Sequence, residues 1–595
     1  MSFSSIPARV QRQAAARPSN PAYFVREADG WKPTSWATYA EQIRTAAAAL
    51  IALGFPAGGT VSILGFNRPE WVIADIASMA AGGAPAGIYT TNSAEECRYI
   101  IDHSGSSFVL VEDEAQYRKI ASIRDRLPNL RWIVTMRGAA PISDPNVLSW
   151  DDFMARATDA GRVELDRRTA AIDPNSIGTL IYTSGTTGPP KAVMLSHNNL
   201  SWTADCAVEI AEAREGDCTL SYLPLSHIAE QMFSIHVPVS AGMAVYFARS
   251  IEKVPDDLKE VQPTVFFGVP RIWEKFNAGI RTKLADVKGA KATLIAWARR
   301  VAHEATLLRA AGREPGPLLR AQHTLARKLV FSKLHDAIGL GRARVCVSGA
   351  APIAPDVLDF FASLDILVHE VYGQSEGCGP TSFNRPGRTR LGSVGPAIPG
   401  CEVRIAEDGE ILARGPNIFL GYLKDQEATD ETLIDGWLHS GDLGSFDADG
   451  YLFITGRKKD ILITAGGKNI APKNLEADLK SCDLIAEAVV IGDRRKFLSA
   501  LVVLNPDGVD RLAHEKGFDA NAMPRPQALV DAIQAHLDKI NQHYARVEQI
   551  KKFTILPRAL TIENGELTPT LKVKRRIVNE NWKVEIEAMY AGDES

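Results

Sequence analysis

Residues 180–193 read LIYTSGTTGPPKAV: an apolar run, then threonines, a serine and glycines, two prolines and a lysine. The apolar part is strand-like, and the polar part after it is built from turn formers. Gly185 and Gly188 let backbone N–H groups curl around an anion. Thr183, Ser184, Thr186 and Thr187 add hydroxyl donors, and Lys191 supplies a mobile positive charge. Such a loop would wrap a triphosphate if the strand GTLIY delivers it to one end of a sheet, where α/β proteins commonly place ligands. It is not the pattern GxxxxGK[ST], because the lysine lies three residues after the last glycine and the residue directly after it is Ala192. On local chemistry alone a plain solvent loop has the same composition, so the surroundings must decide.

Those surroundings are α/β. From about residue 60 strand-like runs alternate with helical patterns: TVSILGF (60–66), EWVIADIASMAAGG (70–83), SSFVLVED (106–113), LRWIVTM (130–136). That rhythm predicts βαβ units and a mostly parallel sheet covered by helices. Residues 276–340 carry long helical periodicity and read as a helical insertion. Between 435 and 472 turn residues recur between short β-rich runs, which predicts small antiparallel hairpins. The expected architecture is a large multi-lobed N-terminal domain over 1–456, a boundary at 457–460, and a small α+β C-terminal domain over 461–595.

The chain has 595 residues, too many for one core, with 45% hydrophobic and 23% charged residues. A net charge of −4 offers no global attraction to nucleic acid or anionic lipid, so any polyanion must be held locally. Seven cysteines are scattered without CxxC spacing, which argues against a disulfide framework or a zinc site. The first residues show no signal-peptide core, and no segment reaches ~20 uninterrupted apolar residues. A cytoplasmic location is expected, with peripheral membrane contact and a homodimer both left open.

A second short run, VYGQSEG (371–377), places an aromatic, glycines, hydroxyls and Glu376 after an apolar strand. Glu376 there is either a surface turn glutamate or a ligand for Mg²⁺ bridging phosphates. The order of motifs now matters. TSGTTGPPK, SGAAP (348–352), YGQSE (372–376), HSGDLG (439–444), GRKKD (456–460) and a late LKVKRR resemble the adenylate-forming superfamily of acyl-CoA synthetases, luciferases and peptide-synthetase adenylation domains.

The resemblance implies roles residue by residue. Thr183 to Gly188 (Thr183, Ser184, Gly185, Thr186, Thr187, Gly188) and Lys191 would contact the β and γ phosphates of ATP, with Thr183 and Glu376 at Mg²⁺. Gly349, Ala350 and Ala351 would lie against adenine, with Tyr372 and the adjoining Gly373, Gln374 and Ser375. Asp442 would accept hydrogen bonds from the ribose hydroxyls, with Arg457 as its basic partner. Lys572 would reach the α-phosphate and the acyl carboxylate, and His227, in LPLSHIAEQ (223–231), would lie near that carboxylate. Lys459 would be the hinge about which the small domain swings, withdrawing Lys572 and bringing Gly466, Gly467 and Lys468 to the adenylate for coenzyme A.

The stretch VQPTVFFGVPRIWEK (261–275) and the helical insertion resemble long-chain fatty acyl-CoA synthetases of the bubblegum type, making Phe266, Phe267 and Gly268 candidate walls of an acyl tunnel. Two departures fall where coenzyme A would pass: Pro472-Lys473-Asn474-Leu475-Glu476, and Gly466-Gly467-Lys468-Asn469. The implied activity is AMP-forming ligation of a long-chain fatty acid to coenzyme A. A carrier protein's phosphopantetheine is the alternative acceptor. A nucleotide-sensing scaffold with a dead site is disfavoured, because a site without turnover needs no set such as Lys191, Glu376, Asp442 and Lys572.

Overall fold

The computed structural model describes residues 3–183, 189–465, 468–568 and 572–591. Its largest sheet has eight strands in the order Gly421–Tyr422, Lys191–Ser196, Ile177–Thr183, Ala84–Ile88, Thr60–Leu64, Phe108–Val111, Trp132–Thr135, Val147–Ser149. From Ile177–Thr183 to Val147–Ser149 neighbouring strands are parallel, and the two strands beyond pair antiparallel. Thr60–Leu64, Ala84–Ile88 and Phe108–Val111 are buried at every position, as strands covered on both faces must be. The helix Pro69–Ala80 packs here and is itself buried all round.

The strand Ile177–Thr183 returns as Lys191–Ser196, with Thr183 in register with Lys191. Lys191 therefore opens an antiparallel strand rather than a helix. That is how the chain dispenses with the lysine-to-helix spacing of the GxxxxGK[ST] pattern.

Two four-stranded sheets complete the large part. One has the order Cys218–Ser221, Ala244–Phe247, Pro21–Glu27, Gly30–Ser35; the other runs Val265–Gly268, Val345–Ser348, Val368–Gln374, Gly379–Phe383. The helices Pro270–Ala285, Ala290–Ala310, Pro317–Ala326 and Ser332–Ile338 lie between strands Val265–Gly268 and Val345–Ser348 in the chain. They close a second core around the fully buried Trp273, Phe331 and Phe361. The helical segment opens at Pro270, ahead of the residue 276 expected from periodicity, because a proline at the first helical position is preset for it.

A five-stranded antiparallel sheet comes next, in which Trp437–Phe446 pairs with Leu452–Arg457 as the hairpin pattern predicts. A single 3₁₀ turn, Lys458–Asp460, leads on to a three-stranded sheet of Ile485–Ile491, Leu498–Leu504 and Ile550–Ile555. Its residues alternate between two faces. Ala488, Val490, Ala500 and Val502 pack under helices Pro472–Lys480 and Gln527–Asn541, while Val489, Ile491, Leu501 and Val503 pack under Arg575–Asn581 and Lys583–Tyr590. All seven cysteines are free and six are buried. Among the described residues no helix is long and apolar enough to cross a membrane.

Candidate active site

Segments of three sheets meet here, since Glu376, just past its strand, bonds Tyr422 of the eight-stranded sheet and Tyr372 bonds Asp442 of the five-stranded sheet. The eight-stranded sheet also carries Thr183 and Lys191. Thr183 Oγ1 donates to the carbonyl of Lys191 at 3.4 Å, closing the base of the hairpin. Residues 184–188, expected to hold phosphates, lie outside the described residues. The Lys191 ammonium stands 4.9 Å above the ring of Tyr422 and 3.9 Å from Asp425.

Glu376 sits in a one-turn 3₁₀ helix, Ser375–Gly377, directly after Val368–Gln374. Its Oε1 accepts a 2.7 Å hydrogen bond from the hydroxyl of Tyr422. Burial, then the charge of Glu376, pushes the Tyr422 phenol well above its usual range, so it remains a donor. Tyr422 thus joins Lys191 and Glu376, and no run in the sequence marked it.

Gly349 comes directly after the strand Val345–Ser348, and a Cβ there would meet Val371 Cγ1 at 2.5 Å and the Val371 carbonyl oxygen at 3.2 Å. Ala350 next to it is left-handed at φ +69°, and both Ala350 and Ala351 are exposed. At Gly373 a Cβ would overlap the carbonyl oxygen of Gly379, so only glycine lets these strands pair. Gln374 ends the strand and Ser375 is buried under it.

Tyr372, Asp442 and Arg457 form one contact set. The Tyr372 hydroxyl donates to Asp442 Oδ2 at 2.9 Å, and Arg457 Nε lies 3.7 Å from Oδ1. Asp442 and Arg457 are also register partners on neighbouring strands. Burial and the Asp442 charge raise the Tyr372 pKa far above its ordinary value. Glu410 organises this corner, although no motif in the sequence marked it. Its Oε1 accepts from Gly441 N at 2.8 Å, and its Oε2 accepts from Lys458 Nζ at 2.8 Å and faces His439 Nδ1 at 3.1 Å. Burial works to raise its pKa, but these donors prevail and hold it below the usual range.

His227 caps the short helix Ile228–Gln231, and its Nδ1 accepts from Ala229 N at 3.2 Å. That bond assigns the neutral ring's proton to Nε2. Burial, then the nearby positive charge of Lys572, lowers its pKa to about 4. Gly87 makes the local packing possible, since a Cβ there would lie 2.7 Å from Ser226 Cα. Behind His227, Glu230 accepts from Ser221 Oγ at 3.0 Å, Ser234 Oγ at 2.6 Å and Tyr222 N at 3.1 Å, tying the helix to its sheet.

Lys572 comes from the far end of the chain. Residues 566–568 pair with 572–574 through Lys574 N to Glu566 O at 2.7 Å and Thr568 N to Lys572 O at 2.8 Å. Glu566 anchors the pair through Arg558 and the Trp582 indole at 2.9 Å. The Lys572 side chain keeps access to solvent, yet enclosure by its surroundings lowers its pKa, as do Lys473 and Arg457, while Asp442 and Glu376 act in the opposite sense. Lys572 is therefore within electrostatic reach of Asp442, Glu376 and His227 at once.

Lys459 lies exposed in the 3₁₀ turn, whose Lys458 is bound to Asp408 at 2.6 Å and whose Asp460 is 3.5 Å from Lys473. Gly466 and Gly467 lie outside the described residues; Lys468 is exposed and its N–H donates to Thr464 Oγ1 at 3.2 Å. The candidate acyl wall needs a correction. Phe266 and Phe267 are adjacent on one strand and face opposite sides, so they cannot share a wall. Phe266 packs edge-on to Trp273 in the helical core, whereas Phe267 stacks on Phe233 at 4.5 Å, on the turn just beyond the His227 helix. Gly268 accepts through its carbonyl from the Trp273 indole at 3.1 Å.

A family model described as AMP-binding enzyme matches residues 10–423, and a second, described as AMP-binding enzyme C-terminal domain, matches residues 459–594. The chain belongs to the AMP-binding enzyme family. Among curated proteins it is 39% identical to the long-chain-fatty-acid–CoA ligase ACSBG2 of Xenopus laevis, over 95% of this chain and 81% of that one. It is 37% identical to the long-chain-fatty-acid–CoA ligase FadD15 of Mycobacterium tuberculosis, over 95% of this chain and 94% of that one. Among solved structures, the anthranilate CoA ligase AuaEII in complex with anthranoyl-AMP superposes with a TM-score of 0.76 over 98% of both chains, at 21% identity, which is a likeness of fold. An AMP-binding enzyme of this kind joins an acid to a thiol through an acyl-adenylate.

Proposed function

We propose that this protein activates a long-chain fatty acid with ATP and transfers the acyl group to coenzyme A. In the first step a carboxylate oxygen bonds to the α-phosphorus, the bond to the bridging oxygen breaks, and pyrophosphate leaves. In the second the coenzyme A sulfur bonds to the acyl carbon, its proton is lost, and AMP leaves with the electron pair. The observation that supports this reading is that Tyr422 joins Glu376 to Lys191 and Tyr372 joins Asp442 to the neighbouring strand, while the charges of Asp442 and Glu376 act on Lys572, which comes from the C-terminal part.

Both reactants of the first step are anions, so the site must hold them together and absorb charge. Lys191 and residues 183–188 are assigned to the β and γ phosphates, and Lys572 to the α-phosphate and the attacking carboxylate. Asp442, oriented by Tyr372 and flanked by Arg457, is assigned to the ribose hydroxyls. His227 is neutral and offers Nε2–H as a donor beside the carboxylate without adding charge that would compete with Lys572. The Phe267 and Phe233 side of the strand, continuous with the His227 turn, is assigned to the alkyl chain, each buried methylene of which contributes ~0.8 kcal/mol.

Magnesium fits this donor set. The described residues contain no cluster of three or more His, Cys, Asp or Glu side chains, while Glu376 presents a carboxylate with one protein donor on Oε1. Mg²⁺ held by one carboxylate and substrate phosphates is a usual arrangement, with Thr183 beside it at the strand end. When bound it would supply charge neutralisation on the phosphates.

The deciding experiment gives the purified protein ATP, Mg²⁺ and straight-chain acids from acetate to arachidate, with either coenzyme A or a holo carrier protein, and measures AMP and thioester. Thioester with coenzyme A that rises with chain length is expected. Product with carrier protein alone would favour the other acceptor, and AMP release independent of any acid would overturn the proposal.

A further inference from the structure

The segment 276–340 holds twelve lysines and arginines against four aspartates and glutamates, a formal charge of +8 in a chain whose total is −4. Part of that charge is used internally: Arg309 and Arg327 face the buried Asp365, and Arg281 and Arg299 lie over Phe360. Lys288, Lys291, Arg313, Lys328 and Lys333 are exposed and carry no ion pair among the described residues.

One helix in this segment also turns leucines outward. Pro317–Ala326 runs through the turn Arg327–Phe331 into Ser332–Ile338, and its inner side buries Ala326, Phe331 and His335. On the outer side Leu318 is 73% exposed, Leu325 49% and Leu329 48%. Spacings of seven and four residues put the three on one stripe, with Lys328 and Lys333 beside it. The neighbouring helix Ala290–Ala310, packed against this one, adds the exposed Leu294 and Leu307. A single exposed leucine is ordinary, but a stripe of them framed by unpaired cations marks a surface made for contact.

We propose that this helical face docks on an anionic lipid surface, the leucines entering the headgroup boundary and the lysines meeting lipid phosphates. A groove-binding protein is disfavoured because the opposite side of the helix is committed to the core, so only a broad, flat partner can cover the stripe. A nucleic acid would answer the charge and leave the leucines against sugar and phosphate. The docking serves the long-chain acyl activity proposed for this chain, because such acids partition into membranes, but it is measured without turnover.

The test is sedimentation of the full chain with vesicles of phosphatidylcholine alone or mixed with phosphatidylglycerol. Binding is expected only to the mixed vesicles and weakens as salt rises. Neutralising Lys328 and Lys333 to Gln lowers the partition coefficient about fivefold each. Leu318→Ser, Leu325→Ser and Leu329→Ser together abolish binding, with melting temperature and activity on soluble octanoate unchanged. Absence of binding to mixed vesicles, equal binding by wild type and variants, or retention on RNA that the leucine variants preserve would each overturn the proposal. None of these outcomes would touch the ligase activity, whose own failure shows only in thioester yield.

Discussion

The hydroxyl of Tyr422 donates a 2.7 Å hydrogen bond to Oε1 of Glu376, while the face of the same ring lies 4.9 Å beneath the Lys191 ammonium. One side chain therefore fixes both the carboxylate assigned to Mg²⁺ and the cation assigned to phosphate. Tyr422→Phe keeps the ring and removes only the hydroxyl. Hydrogen bonds to charged groups are worth ~1.5–3 kcal/mol, so kcat/KM for ATP should fall roughly ten- to a hundredfold, with a raised Mg²⁺ requirement. Pyrophosphate release measured across ATP and Mg²⁺ concentrations checks this; an unchanged Mg²⁺ dependence would remove Tyr422 from the metal's surroundings.

Glu370, two residues before Tyr372, gives a pH prediction of definite sign. It is buried with, among the described residues, a single donor, Gly392 N at 3.0 Å, and burial raises its pKa from 4.5 to about 8. The fold holds its proton more tightly than the unfolded chain does. Its contribution to stability is therefore complete below pH 4.5, declines as pH rises, and is lost above about 8. Glu370→Gln mimics the protonated acid and keeps an acceptor for Gly392. Its melting temperature should draw ahead of wild type progressively between those two pH values and run parallel beyond them. A difference independent of pH would mean that Glu370 is ionised in the fold.

The parts of the site that were legible in the sequence are those whose chemistry is local. Thr183 ends a strand, and Gly349 and Glu376 follow closely on others, whose apolar runs precede them in the chain, while Lys191 opens the next strand and Asp442 lies within one, so strand and candidate residue are read together. Tyr422 and Glu410 were not legible because their roles arise from pairing between distant strands. Gly421–Tyr422 is a two-residue strand with no periodicity, placed by its register with Met194 and Val193, and Glu410 reaches the site by pairing with Leu443. The pair Phe266 and Phe267 shows a related limit: alternation along a strand demands opposite faces, but which face meets the helical core depends on helices that come later in the chain.

Gly349 offers a steric test of the adenine subsite. A Cβ there would lie 2.5 Å from Val371 Cγ1, 3.2 Å from the Val371 carbonyl oxygen and 3.4 Å from Phe267 Cε2. The Val371 side chain can turn away, but the carbonyl belongs to the strand that carries Tyr372 and leads into Glu376. Gly349→Ala should therefore cost ~1–3 kcal/mol of stability and shift that strand, weakening ATP binding more than fatty-acid binding. Calorimetric melting with ATP titration checks both parts, and a stable variant with unchanged ATP affinity would show that the strand yields freely.

Lys459, the hinge that the resemblance implies, offers a test that separates the two half-reactions. It is exposed in the 3₁₀ turn Lys458–Asp460, between strand Leu452–Arg457 and the C-terminal sheets, and beside Lys458, which is held to Asp408 and Glu410. In this arrangement Lys572 feels the charges of Asp442 and Glu376. The resemblance implies that the second step withdraws Lys572 and brings in residues 465–468, and such a swing would concentrate large changes in φ and ψ at the turn. Proline at 459 fixes φ there and restricts the residue before it. Lys459→Pro should then retain ATP–pyrophosphate exchange within a few fold and lose most thioester formation from a supplied acyl-adenylate, whereas Lys572→Ala should do the reverse. Equal loss of both half-reactions in Lys459→Pro would reject the turn as the pivot.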